Sequence, residues 1–407
     1  MRRLLLTSLA MISFVIGGSV GVAIGFLINP LMIEFKWTSG LASSTATAFN
    51  LAALLMAPAV GIALDKFGAR PVMALGALVA SLGLFLAGSS SNWCSIAGAF
   101  VLAGSGYCAS FYVPSAVVAA KCAGSNRNFA MGIVLGAMSL GAATFSSVFG
   151  WCIESYGWRA TIKAIAVLVA TMVPLIWLTM KFRSAPDSQR HESSPDSDRL
   201  HQYSSNSLIS TAFLMLVASG TLFSVGMFGI YYHFISVLVA AGYSVHFAGV
   251  VMGVSWLLSA LGSFGLGMAA DRVGAKFVLS GALCACACGT LFLLGADASK
   301  FGMACVATFV LLWGTSSNCV SQFLPVILSE LFGAKNIGIL VGVETAIAGV
   351  AGAISPVGTG LLYDRFGSYS LAISLSVLAT SAALILVSLI SVPKRGADPS
   401  AIGQSAG

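Results

Sequence analysis

Apolar runs of about twenty residues or longer follow one another along almost the whole sequence, at 8–33, 41–64, 71–90, 93–120, 129–151, 160–181, 208–235, 246–270, 277–296, 301–329, 337–361 and 369–392. An α-helix of that length spans a hydrocarbon core of about 30 Å, so each run predicts one membrane crossing. Soluble folds do not accommodate this pattern: only 8% of the residues are charged, against roughly 25% in soluble domains. Lipid offers the backbone no hydrogen-bond partners, which leaves helices or a closed barrel. The runs are long and continuous, contain Gly and Pro, and do not alternate in ten-residue segments, so helices are expected.

The net charge of +7 does not point to nucleic acid, because the basic residues sit in short connections and form no patch beside aromatic platforms. They report topology. With the N-terminus in the cytoplasm, fifteen basic residues fall on that side and five on the other, which predicts that both termini are cytoplasmic. The first run has no small-residue cleavage site leading into a soluble domain and reads as a retained helix. A cell membrane, the bacterial inner membrane, is the expected location. Nearly all nine cysteines lie in apolar runs. Cys286 is turned about 200° from Cys284 and Cys288 on a helix, with no His or carboxylate nearby, so no metal site is expected.

A ten-residue phrase occurs twice. Gly61, Asp65, Lys66, Gly68 and Arg70 return 206 residues later as Gly267, Asp271, Arg272, Gly274 and Lys276. Weaker echoes sit 210 residues apart: Gly150, Glu154 and Gly157 recur as Gly360, Asp364 and Gly367. The one long polar stretch, rich in Ser, Pro and Asp, separates the sixth run from the seventh and reads as a flexible linker. The expected organisation is therefore a six-helix half at 1–182, a cytoplasmic linker at 183–207, a second six-helix half at 208–393 and a cytoplasmic tail at 394–407. An even number of helices per half inserts both repeats in one orientation, with a transport site between them.

Together these features resemble the major facilitator superfamily. The connection Gly61-Ile-Ala-Leu-Asp65-Lys66-Phe-Gly68-Ala-Arg70 is similar to the family's loop motif between its second and third helices, and the later copy falls between the eighth and ninth. Tyr112-Val-Pro114, Asn126-Arg127-Asn128-Phe129-Ala130-Met131-Gly132 and Tyr363-Asp364-Arg365-Phe366-Gly367-Ser368-Tyr369 resemble its monocarboxylate porter and oxalate/formate antiporter branch. The resemblance implies an all-α membrane fold of twelve helices in two pseudo-symmetric halves. It also implies that Asp65, Arg70, Asp271 and Lys276 are gating contacts holding the cytoplasmic ends of the halves together in one state. The same charges would equally mark the cytoplasmic face and support insertion. Gly61 and Gly267 would allow close helix approach.

Polar side chains inside a membrane are costly unless they face protein or water, so they mark the pathway. Asn29, Asn50, Tyr107, Tyr112, Tyr231, Tyr232, His233, Asn318, Gln322 and Glu344 fall in runs one, two, four, seven, ten and eleven. Tyr107, Tyr112, Tyr232, His233, Asn318 and Gln322 are candidate substrate ligands. Asn318 and Gln322 share a helix face, though such pairs often only join neighbouring helices.

Glu344 lies about eight residues into the eleventh run, with no basic residue at comparable depth. A carboxyl buried without a cation favours its neutral form and can exchange a proton. Glu344 is therefore the first candidate for proton coupling, with His233 second; a structural histidine beside Tyr231 and Tyr232 is the plainer reading of His233. The branch's oxalate carriers place a lysine in helix eleven and its monocarboxylate porters an arginine in helix eight, and this chain has neither. Oxalate is disfavoured, whereas a monocarboxylate moving with a proton is electrically neutral.

The expected function is secondary active transport of a small organic anion by alternating access, as a monomer, with a substrate, protons and the lipid bilayer as partners and no cofactor. No phosphate-binding Gly-x-x-x-x-Gly-Lys-(Ser/Thr) loop occurs, which argues against ATP-driven transport. A proton-driven exporter of drug-like molecules and a non-transporting nutrient sensor are the alternatives. An enzyme is disfavoured, because the membrane interior offers one Glu and one His.

Overall fold

The computed structural model describes residues 2–115, 127–180, 210–332 and 337–390. The predicted linker and tail, and Asn126 of the branch-like motif, lie outside these. Twelve membrane-length helices are present: α1 (Leu5–Phe35), α2 (Ser39–Phe67), α3 (Ala69–Ser89), α4 (Trp93–Ser115), α5 (Ile133–Tyr156), α6 (Trp158–Thr179), α7 (Thr211–Ala240), α8 (Val245–Val273), α9 (Ala275–Gly295), α10 (Lys300–Phe332), α11 (Ile339–Phe366) and α12 (Ser370–Leu389). No strand occurs among the described residues. The face on which α1 begins is called the near face, and the opposite one the far face.

The short connections are built from local chemistry. Four of the six far-face starts carry side-chain caps: Thr38, Asn92, Ser244 and Ser299 accept the N–H of Leu41, Ser95, Phe247 and Gly302, beginning α2, α4, α8 and α10. Each satisfies a donor that the helix cannot. The near-face turns of the repeated phrase use glycine instead. Gly68 and Gly274 have φ of 83° and 95°, a region that side-chain-bearing residues rarely adopt.

Within each half α3 packs against α4 and α6, and α9 against α10 and α12. Between the halves, α5 lies along α8, α2 along α11, and α1 against α7. The echo at 210 residues contributes here. A Cβ at Gly150 would meet His246 Cα at 2.9 Å, and one at Gly360 would meet Gly40 Cα at 2.7 Å. Both contacts join the halves at the far face.

Three helices that lead into the centre are irregular there. One π turn interrupts α1 at Ser13–Gly17 and another α4 at Cys108–Tyr112. In α10 the helix breaks at Ser317 and Asn318, between Lys300–Ser316 and Cys319–Phe332. Such interruptions free backbone groups and redirect side chains, and they recur at functional sites.

Candidate functional site

Helices of both halves meet at an aromatic and amide junction. Tyr232 on α7 donates its hydroxyl to Asn50 Oδ1 on α2 at 3.0 Å. Tyr231 sets its ring edge-on to Tyr232 at 4.9 Å and to Trp256 of α8 at 6.0 Å. From α4, Tyr107 stands beside both tyrosines and packs its ring on Phe49 and Phe111 at 5.5 and 5.6 Å. A Cβ at Gly21 of α1 would lie 3.6 Å from the Tyr107 hydroxyl. The absent side chain lets α1 come close to that group.

Asn318 and Gln322 extend this junction into the C-terminal half. Asn318 Nδ2 donates to Ser259 Oγ at 2.8 Å and Gln322 Nε2 to Ser263 O at 2.8 Å, both joining α10 to α8. Asn318 also borders a narrow cleft of about 20 Å³ with Met227, Tyr231, Trp256, Ser259 and Trp313. Gln322 keeps a buried Oε1 with no partner. The two residues do share a face, but each already bonds a neighbouring helix.

Tyr112 lies beside Tyr107 at the edge of the junction, and His233 stands apart. Tyr112, on the π turn of α4, is 56% exposed. His233 is fully buried, with Nε2 2.9 Å from Pro356 O and Nδ1 3.3 Å from the Tyr369 hydroxyl. Both ring nitrogens are engaged inside the C-terminal half. This is the geometry of a structural histidine, and it lends nothing to the expectation of substrate or proton binding there. Burial pushes the Tyr369 phenol up to about 12, so it stays a neutral hydroxyl at physiological pH.

Glu344 is 7% exposed and is the one carboxylate in the buried set among the described residues. Its carboxyl rests on Gly220 of α7, where an added Cβ would collide with Oε1, and beside Leu324 of α10. The hydroxyl of Thr345 donates to Oε2 at 3.4 Å. Gly220 and Tyr231 are eleven residues apart on one helix, about 17 Å along the axis. Glu344 therefore lies nearer the near face than Tyr231 and Tyr232.

Basic residues of the repeated phrase are engaged within their own halves. The Arg70 guanidinium lies 4.1 Å from the ring centre of Trp177 at the end of α6. Lys276 Nζ donates to Ser388 O at 2.9 Å and Ile390 O at 2.5 Å, closing the C-terminal end of α12. These positions correspond by the 206-residue offset and do corresponding work, each tying an inner loop to its outer helix. Lys66 lies over Phe67 at 5.3 Å. The close approach expected at Gly61 is not formed, since a Cβ there would meet nothing within 4 Å; at Gly267 it would meet Gln322 Nε2 at 3.2 Å.

Sequence reasoning does not single out Tyr231, Trp256, Asn50 or Ser259 as candidate ligands. The Tyr-Tyr doublet and the polar residues of α2 and α8 are the available signals. No group of three or more potential metal ligands occurs among the described residues.

The family model described as Major Facilitator Superfamily matches residues 9–356. An uncharacterized MFS-type transporter, YcxA, of Bacillus subtilis is 25% identical over 87% of this chain and 86% of its own length. Monocarboxylate transporter 13 of Rattus norvegicus is 24% identical over 76% of this chain and 71% of its own. The crystal structure of the nucleoside transporter NupG superposes with a TM-score of 0.74 at 15% identity, covering 94% of this chain and 97% of that one. A D-xylose–proton symporter gives 0.74 at 14% identity, over 97% and 98%. These structures share the fold of two six-helix halves. With its twelve helices, its doubled loop phrase and a family model matched over most of its length, the chain belongs to the major facilitator superfamily.

Proposed function

We propose that this transporter carries a small monocarboxylate together with a proton by alternating access. The observation that carries this reading is the uncharged junction of Tyr107, Tyr231, Tyr232, Asn50 and Asn318, set apart from one deep carboxyl, Glu344. Hydroxyl and amide donors can hold a carboxylate but cannot neutralise it, and an unpaired charge in a membrane interior is strongly disfavoured. A proton moving with the anion removes that cost.

Glu344 is the proposed proton site. Its position against Gly220 supports an indirect role, in which protonation alters the packing of α11 on α7 rather than touching the substrate. Coupling then runs through the position of α11 relative to α7, the helix that carries Tyr231 and Tyr232 of the junction. The likeness to monocarboxylate transporters supports the substrate class. The excess of basic residues on the near face supports cytoplasmic termini in a cell membrane, with the bacterial inner membrane as the proposed location.

Purified protein in liposomes preloaded with lactate or pyruvate tests the reading. Counterflow of labelled monocarboxylate, and accumulation driven by an inward proton gradient, are expected. Saturable binding without exchange would instead identify a sensor, and exchange indifferent to pH would remove the proton.

A further inference from the structure

The repeated echo that carries Glu154 and Asp364 meets two helix starts that are themselves repeated. α2 begins after Thr38 and α8 after Ser244, again 206 residues apart. Thr38 Oγ1 accepts the Leu41 N–H at 3.3 Å, and Ser244 Oγ accepts that of Phe247 at 3.1 Å. The earlier N–H groups of each first turn still lack an intrahelical acceptor.

The opposite half supplies those acceptors. Ser39 and Gly40 N–H donate to the two oxygens of Asp364, at 2.5 and 2.7 Å. His246 N–H donates to Glu154 Oε1 at 2.8 Å. Asp364 lies near the end of α11 and Glu154 near the end of α5, so each half gives one carboxylate and receives one. A helix start carries partial positive charge, which makes these bonds charge-assisted. Gly150 and Gly360, four residues before each carboxylate, let the helices approach closely enough for the bonds to form.

We propose that Glu154 and Asp364 form a reciprocal two-point latch that holds the far face closed and must release for that face to open. Both carboxylates join the same two halves at the same face, so opening that face parts α2 from α11 and α5 from α8 together. Released carboxylates and helix starts are hydrated by water at the far face, which keeps the latch reversible. Its action is independent of the substrate and of Glu344, so it goes beyond the transport reading above.

Hydrogen–deuterium exchange of the full chain in nanodiscs tests this with Glu154→Gln, Asp364→Asn, the double variant, and Glu154→Ala and Asp364→Ala. In the double variant the first turns of α2 and α8 are expected to exchange about tenfold faster, the size of effect of losing a charge-assisted bond. At the same time residues 61–67 and 267–273 at the near face should exchange more slowly, as that face closes when the far face opens. Each single variant should show a smaller form of both changes. Loosening confined to the altered helix start, with near-face exchange unchanged in both alanine variants, would reduce the carboxylates to local caps and overturn the latch. Should the double variant fail to fold, the single variants decide the matter by the same readout.

Discussion

The Tyr232 hydroxyl donates to Asn50 Oδ1 at 3.0 Å, a single bond that ties α7 of one half to α2 of the other. It lies where the helices converge, so any movement of the halves that opens this level must break it. A double-mutant cycle with Tyr232→Phe and Asn50→Ala should give a coupling of about 1 kcal/mol in thermal stability. Strict additivity would mean that the bond contributes nothing to holding the halves. Monocarboxylate exchange should also weaken several-fold in Tyr232→Phe, read as a higher KM in counterflow.

Glu344→Gln keeps the shape of the side chain and removes the exchangeable charge. Accumulation against an imposed pH gradient should be lost while counterflow persists in part. Gradient-driven accumulation equal to that of the parent would take Glu344 out of the mechanism. Because Glu344 is remote from Tyr231, the apparent affinity for substrate in counterflow should change less than about twofold.

The notch at Gly220 is complementary to this carboxyl. Gly220→Ala would drive a methyl group into Oε1 and should lower stability by about 1 to 3 kcal/mol. In a Glu344→Ala background the same substitution should cost far less, since the group it strikes is gone. Equal losses in both backgrounds would show that some other neighbour sets the cost.

His233→Ala removes the ring that faces Pro356 O and the Tyr369 hydroxyl. A buried polar group left without its partner costs about 1 to 3 kcal/mol, and a cavity adds to this. A thermal shift experiment should therefore register a clear loss of stability. The pH profile of transport by the remaining folded protein should keep its shape; a displaced profile would return His233 to the proton pathway.

Lys276→Ala should loosen the end of α12, because Nζ holds the carbonyls of Ser388 and Ile390. A stability loss of about 1 to 2 kcal/mol is expected, as for other charge-assisted bonds near a surface. Arg70→Ala should produce a comparable loss through Trp177. An effect on transport rate with no change in thermal stability would favour a gating contact formed in another state.

Much of the architecture was legible before any coordinates. Run length and hydropathy set twelve helices, since a lipid-embedded backbone must bond to itself. The glycines at 68 and 274 marked turns whose positive φ the structure displays. The site was less legible. Tyr231, Tyr232 and His233 are consecutive, and each step around a helix turns about 100°. One chain segment therefore sends its side chains to Trp256, to Asn50 and to Pro356. Periodicity says that they diverge and not where each arrives.

The sequence by itself determined the fold class, the duplication, the depth of Glu344 and the pairing of Glu154 with Asp364 as repeated positions. These follow from hydropathy and spacing, which act along one chain. Only the tertiary structure decided that Glu344 rests on Gly220 far from the tyrosines, that His233 is fully bonded, and that each repeated carboxylate meets the helix start of the opposite half. Those outcomes depend on which helix faces come together between residues as many as 325 positions apart. Packing of two whole halves, not any local preference, selects them.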